Sequence, residues 1–466
     1  MICRLIAAGV LAMLATVSLA GPPEVALVGG TLIDVDNFGE TTADLVDSTV
    51  LIRGEVIVAV GRRSQVAIPP GARIVDVHGE YIIPGLIDGF AAQRSQGQAN
   101  AHLAMGITTI IGMSDDRRGL LLDEDPQPHI KRLEDVTGYD LSGLDPAPES
   151  IGEIRARGRR LGPTELAAYV DTKAWDGDTV LWLGYSLDLE QLRAVVAAAR
   201  RHKLATIGEL GHASYVEAAE AGVQAFVHME RFMTEVAPPA LRHALADDPF
   251  PARPSALGSQ FETFLGSLSP SAPEVRQYAA RLAHTHAALV PTTTLYVSGT
   301  EVDRHNPWAS EIGPLVDPHD VHAPLDPATG TQPRSRLRPR EARDRELKET
   351  EALMRVQSAF IAKRVAFLAA SGTTAFGVLP GDGLHWEMHL LTRLGLSPRQ
   401  ALAAATGNYA RVFGWTDRGR IAPGCLADIV VLAKSPVESI DNSRAITRIY
   451  LAGRELDRPQ LLTPPR

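Results

Sequence analysis

Apolar and polar positions along the chain fall into three regimes. From residue 24 to 77 short apolar runs alternate with glycine breaks. Glu24-Val-Ala-Leu-Val-Gly-Gly-Thr-Leu-Ile-Asp34 predicts a strand, a break and a second strand. Residues 49–52 and 56–60 predict a hairpin across Arg53-Gly54-Glu55, and residues 73–77 a further strand. A β unit of roughly sixty residues has a thin core of its own. Its complement lies at the other end of the chain. There Gly419-Arg-Ile-Ala-Pro-Gly424 predicts a turn and Ala427-Asp-Ile-Val-Val-Leu432 a buried strand, followed by residues 445–451 and the Gly453 turn. The two ends together predict one composite β-sandwich, with the rest of the chain inserted between them.

In the insert, strand-like runs alternate with helical periodicity. Residues 82–87 form an apolar run that ends on Asp88, and 108–111, 179–183, 204–208, 224–228, 289–292 and 373–378 also read as strands. Helical spacing marks 189–201, where Leu189, Leu192, Val195, Val196 and Ala199 share a face, and also 215–221, 275–288, 347–370, 384–394 and 398–406. This alternation predicts a parallel sheet closed as a (β/α)8 barrel. The expected units are sandwich segments 21–83 and 414–466 around a barrel at 84–413. Two stretches rich in Pro, Asp and Arg, about 234–272 and 300–345, read as loops, with 314–340 either covering the site or unstructured.

Charge and composition narrow the function classes. The net charge of -9 argues against a nucleic-acid partner. Residues 1–20 have the pattern of a signal peptide: Arg4, an apolar stretch from Leu5 to Val17, then Ser18-Leu-Ala20 before Gly21. The expected product is exported, periplasmic or secreted, with no membrane segment after cleavage. It would retain Cys425 alone, hence no internal disulfide.

Several groups are candidates for chemistry. Glu209 and His228 follow neighbouring strands and could share a proton in acid–base work. His385 and His389 lie four apart on one helix face, beside Glu387, a spacing that can hold zinc but that more simply packs a helix. Asp382, in Pro380-Gly-Asp-Gly383, reads as a metal ligand or as a helix cap. His284 and His286 fall at the wrong end of the barrel, and His319 and His322 in a loop.

The ordered motifs Val28-Gly-Gly-Thr-Leu-Ile-Asp34, Pro84-Gly-Leu-Ile-Asp88, Ala404-Ala-Thr-Gly-Asn-Tyr-Ala410 and 419–432 resemble the metal-dependent amidohydrolases, in particular the imidazolonepropionase-like and Xaa-Pro-dipeptidase-like branch. The resemblance implies a barrel whose strand ends hold divalent ions and which hydrolyses non-peptide C–N bonds. It also implies where the ligands should be. The first-strand His-x-His pair corresponds to Gly89 and Ala91, the bridging lysine to Trp182, and the fifth-strand histidine to Glu209 (or Gly208). The sixth-strand histidine is kept as His228, and the last-strand aspartate falls on Leu379 or Pro380. Only His228, Glu209 and Asp382 remain as metal candidates, so no cofactor is expected, with a zinc-like ion as the alternative. Three readings stay open: a hydrolase with a degenerate metal site, a metal-free pseudoenzyme that binds or scaffolds, and metal-independent chemistry at Glu209 and His228. Each has a small molecule as ligand or substrate, and family analogy adds a homo-oligomer.

Overall fold

The computed structural model describes residues 24–113, 126–146, 151–252, 255–298, 305–321 and 340–465. The expected signal segment and His322 lie outside these residues. Seven parallel strands form the curled central sheet: β1 (Leu86–Asp88), β2 (Ile107–Met113), β3 (His129–Val136), β4 (Val180–Leu183), β5 (Ala205–Gly208), β6 (Ala225–Val227) and β7 (Ala288–Val290). Each neighbours the next in sequence order.

An irregular segment, residues 366–374, closes the barrel. Leu289 N–H donates to Ala366 O and Leu368 N–H to Leu289 O on the β7 side. On the β1 side Gly89 N–H donates to Ala369 O, Gly372 N–H to Phe90 O and Ala92 N–H to Thr373 O. The closing element is therefore not the expected strand at 373–378, and the expected helix over 347–370 is too long. The helix Arg340–Val356 and the short turn Ser358–Ile361 stop before Arg364, whose φ of 57° ends the helical path.

The barrel interior is apolar, with Ile87, Ile111, Leu133, Val180, Ile207, Val227 and Val290 in one buried cluster. Strands buried on both faces read as short continuous apolar runs, which is why most were visible in the sequence. β3 was not. Its sequence, His-Ile-Lys-Arg-Leu-Glu-Asp-Val, is mostly polar: His129, Lys131 and Asp135 share the inward face with Leu133, and Glu134 on the outward face meets helix Pro163–Trp175. There Tyr169 and Lys173 both reach Glu134. The stretch 234–272 is also more ordered than expected, since helices Pro239–Asp247 and Ala256–Ser267 bury Leu241, Leu245, Phe261 and Leu265.

Beside the barrel lie the two sheets of the sandwich. One contains Val56–Arg62, Ser48–Arg53, Glu24–Val28 and Arg73–Asp76 in that order. The other runs Arg454–Glu455, Ile446–Leu451, Ile429–Leu432, Tyr81–Pro84 and Thr31–Leu32, so it draws on both ends of the chain. Val430 pairs with Ile83 and Val431 with Ile82. Leu27, Ile52, Ile57, Ile82, Ile429, Val431 and Tyr450 form the core between the sheets. The apolar run 82–87 is thus split: residues up to Pro84 belong to the sandwich, and those after Gly85 to β1.

Candidate active site

The C-terminal ends of the barrel strands converge on a mouth whose centre is aromatic. Phe90, just past β1, stacks on Trp182 of β4 with ring centroids 4.8 Å apart. The ring of His228, which follows β6, stands edge-on to both, at 5.8 Å from Phe90 and 6.0 Å from Trp182.

The His228 ring is fixed from behind. Nδ1 lies 2.7 Å from Thr292 Oγ1, and that hydroxyl donates its own proton to Pro291 O at 2.6 Å. The hydroxyl therefore accepts from the imidazole, which assigns the proton to Nδ1 and leaves the Nε2 lone pair facing the mouth. Burial holds the imidazole down to about 4, so it is neutral at pH 7. His228 also has φ 64° and ψ 106°, an uncommon backbone conformation that aims the ring across the mouth.

Opposite Nε2, at 3.9 Å, stands Oε1 of Glu209, held at the end of β5 by its N–H bond to Leu183 O. Burial pushes this carboxyl up to about 7, against the pull of Tyr185 and Arg231. Among the described residues Oε1 has no hydrogen-bond partner. Arg231, the cation behind it, is 1% exposed and committed elsewhere: it donates to Pro249 O and lies over the Tyr185 and Phe250 rings.

A third ionisable group was missed in the sequence because β3 was missed. Asp135 pairs in register with Trp182, and paired residues of parallel strands share a sheet face, so it points into the mouth. It keeps solvent access at the rim. The surrounding atoms, with the negative charges of Glu134 and Glu209, raise it to about 6.

The other expected site residues lie away from this pair. Gly89 is closed to any side chain, because the Tyr409 hydroxyl fills the space a Cβ would need. Ala91 is buried behind Phe90 and bridges to Thr373. Leu379 does not follow the closing strand; it packs with Leu103, Met105 and Ile449, so the closing end falls instead at Ser371–Thr374, which holds no carboxylate. Asp382 sits in the first turn of helix Asp382–Leu394, paired with His305 at 2.5 Å and Arg444 at 2.6 Å. Burial would raise its carboxyl, but the Arg444 charge and the hydrogen bond with His305 outweigh that and hold it to about 2. His385 is buried between Ser443 and Met105 O, and His389 stacks on Trp386 beside Asp441. Glu387 receives the Thr293 and Thr294 N–H groups. His284 and His286 end helix Pro273–Thr285 at the opposite face of the barrel.

A divalent ion needs three or four converging donors. Among the described residues no three His, Cys, Asp or Glu side chains come together in that way. Tyr409 and the Phe90–Trp182 stack fill the space that the first and fourth strand ends would give to ligands. The described residues alone therefore do not supply the donor set that the resemblance implies.

Residues 369–456 match the sequence profile of the amidohydrolase family. Two adenine deaminases are similar over shorter stretches. The enzyme of Methylobacterium nodulans is 46% identical over 66 residues, 13% of this chain and 12% of that protein. The enzyme of Rubrobacter xylanophilus is 28% identical over 202 residues, 39% and 30% respectively. The chain thus spans less than a third of the length of these curated relatives. Solved structures with the same fold include a bottromycin amidohydrolase (TM-score 0.66, 18% identity, 94% of this chain and 88% of that one). Molinate hydrolase aligns with TM-score 0.62 at 15% identity over 96% and 98%. A prolidase-like protein from Bifidobacterium longum aligns with TM-score 0.59 at 18% identity over 96% and 97%. The chain shares that barrel-and-sandwich fold over nearly its whole length, and from the closing segment into the second half of the sandwich it matches the amidohydrolase family in sequence.

Proposed function

We propose that this protein hydrolyses a non-peptide carbon–nitrogen bond of a small molecule by proton transfer at Glu209 and His228, without a metal ion. The observation that carries the reading is the pair itself. A carboxyl near neutrality faces, at 3.9 Å, an imidazole lone pair whose other nitrogen is committed to Thr292. The gap is too long for a direct hydrogen bond and is suited to a water or substrate atom bonded to both groups.

The chemistry balances with these two groups. His228 Nε2 accepts a proton from water as its oxygen bonds to the substrate carbon. Protonated Glu209 donates its proton to the leaving nitrogen as the C–N bond breaks, and a proton passes back from His228 to Glu209 to reset the pair. The aromatic surface of Phe90 and Trp182 offers a planar substrate a face to lie on. The names of its relatives, a deaminase and amidohydrolases among them, support the same bond class.

The test is hydrolysis of amides, cyclic amides and amino-heterocycles by the full chain, with and without chelator. The expected activity survives chelation and is bell-shaped in pH. Its limbs lie near 4, where His228 loses its lone pair, and near 7, where Glu209 loses its proton. Glu209→Gln and His228→Ala each lower kcat by about 10²-fold or more. Activity abolished by chelator and restored by zinc, or a Glu209→Gln enzyme as fast as the parent, defeats the proposal.

A further inference from the structure

The barrel has a second concavity, at the end opposite the mouth. It measures about 600 Å³ and lies among the turns that lead into β5, β6 and β7. That size is within the roughly 300–1,000 Å³ typical of small-molecule sites. One wall is aromatic, formed by Phe413 and Trp415, and the rim carries Arg200, Lys203, His286 and Asp417.

The charges on this rim do not cancel. Helix Leu189–His202 ends in a run of four cationic or titratable residues, Arg200 to Lys203. Such residues are favoured at a helix C-terminus by the macrodipole alone. They do not behave alike, however. Arg201 and His202 turn outward and both pair with Asp171, whereas among the described residues Arg200 and Lys203 have no carboxylate partner. Arg200 folds back over Gly222, its guanidinium lying where a Cβ on residue 222 would stand. Gly222 has φ 107°, so the turn needs glycine for its backbone as well as for this approach. The one carboxylate on the rim, Asp417, is already bonded to Arg418 at 2.7 Å. Beside it Lys131 lies 4.9 Å from the centroid of the Trp415 ring, adding another positive charge behind the aromatic wall. In a chain of net charge -9, this recess is a local cationic site with an aromatic wall.

We propose that the recess at the closed end of the barrel binds a small organic anion, an aryl or heterocyclic body bearing a phosphate or carboxylate, with the anion on Arg200 and Lys203 and the body against Phe413 and Trp415. The site is separate from Glu209 and His228 and does not depend on what they catalyse. It does share their strands. Gln224 Oε1 accepts the Thr206 N–H at the start of β5 and Nε2 donates to Val412 O, and the same two strands lead to Glu209 and His228 at their far ends.

The experiment titrates the full chain with phenyl phosphate and with benzoate, following heat and tryptophan fluorescence, with phenol and inorganic phosphate as the separated halves. The expected result is saturable binding of at least one of the two aryl anions, tighter than either half. The Arg200→Gln/Lys203→Gln double variant weakens it by about ten-fold or more, while Glu209→Gln leaves it unchanged. Both substituted side chains are exposed, and an unchanged unfolding midpoint of the double variant shows that the fold is intact. Comparing phenyl phosphate with benzoate distinguishes the phosphate from the carboxylate source. Absence of saturable binding of either anion below about 10 mM, or a double variant that binds as tightly as the parent, overturns the proposal.

Discussion

Gly89 and Tyr409 are one feature divided between two distant parts of the sequence. The Tyr409 hydroxyl donates to Ala369 O at 2.6 Å and takes the space that a side chain at 89 would fill. Restoring a ligand at 89 would therefore overpack the site instead of rebuilding it. Gly89→Ala is expected to cost about 1–3 kcal/mol in the parent and clearly less in a Tyr409→Phe background, where the hydroxyl is gone. Denaturant unfolding of the two single variants and the double variant closes the cycle, and strict additivity would mean the two residues do not meet. The sequence exposed half of this arrangement. Gly89, Ala91 and Trp182 stand out because a motif around them sets an expectation, whereas nothing in Asn408-Tyr409-Ala410 says that a tyrosine on a helix reaches back to the first strand. Asp135 was hidden for another reason: the last inward residue of a barrel strand faces the solvent-filled mouth, so at that end a strand loses its apolar signature.

At the scale of elements, the closing segment decides how the barrel is completed. Val365-Ala-Phe-Leu-Ala-Ala370 is apolar on every side, and such a run fits a helix or a doubly buried strand equally well. Periodicity alone could not separate the two, and the error moved the expected end of the last strand from Ser371–Thr374 to Leu379. What marks the segment as a strand is its partner. The buried Asp88 carboxylate at the end of β1 accepts from Ser371 N–H at 2.9 Å and from Ser371 Oγ at 2.6 Å, tying the first strand to the last. Burial raises Asp88 from 3.8 to about 6 even with these bonds in place. A carboxyl raised on folding favours the folded state fully below its unfolded value and loses that contribution as pH rises through its folded value. Here the loss falls between about 3.8 and 6. Ser371→Ala removes one of the bonds to the ionised form, so it should destabilise by about 1–3 kcal/mol at neutral pH and by less at pH 4, where Asp88 is protonated. Denaturant midpoints at the two pH values test this, and an equal loss at both would separate Ser371 from the ionisation of Asp88.

Across the whole molecule, the chain is held together by an exchange between its ends and carries several buried ionisable groups that pull stability in opposite directions with pH. The sandwich was legible because each end ran short of a core and the other supplied it; Ile82 and Ile83 on Val431 and Val430 are that exchange in register. The balance of charge was not legible, because it depends on burial. Glu209 and Glu387 are both raised from 4.5 to about 7 by burial, and with Asp88 they lose stabilisation as pH rises through their shifted values. His102 and His228, lowered by burial from 6.5 to about 4, and His385, lowered to about 3, act in the other direction. A lowered imidazole contributes fully above its unfolded value and loses that contribution as pH falls through its folded value. The carboxyls therefore weaken the fold as pH rises from about 4 to 7 and the imidazoles as it falls from 6.5, so the two sets oppose each other below 6.5 and the carboxyls act alone above it. Denaturant midpoints measured from pH 4 to 9 should fall from pH 6.5 to about 7 and level off above it. Glu209→Gln isolates one contribution, since it removes a group whose shift corresponds to about 3 kcal/mol. Relative to the parent, the variant should gain that much stability on going from pH 4 to pH 8. A variant whose profile runs parallel to the parent's would mean that Glu209 is not held near neutrality, and with it the acid limb of the proposed chemistry would fall.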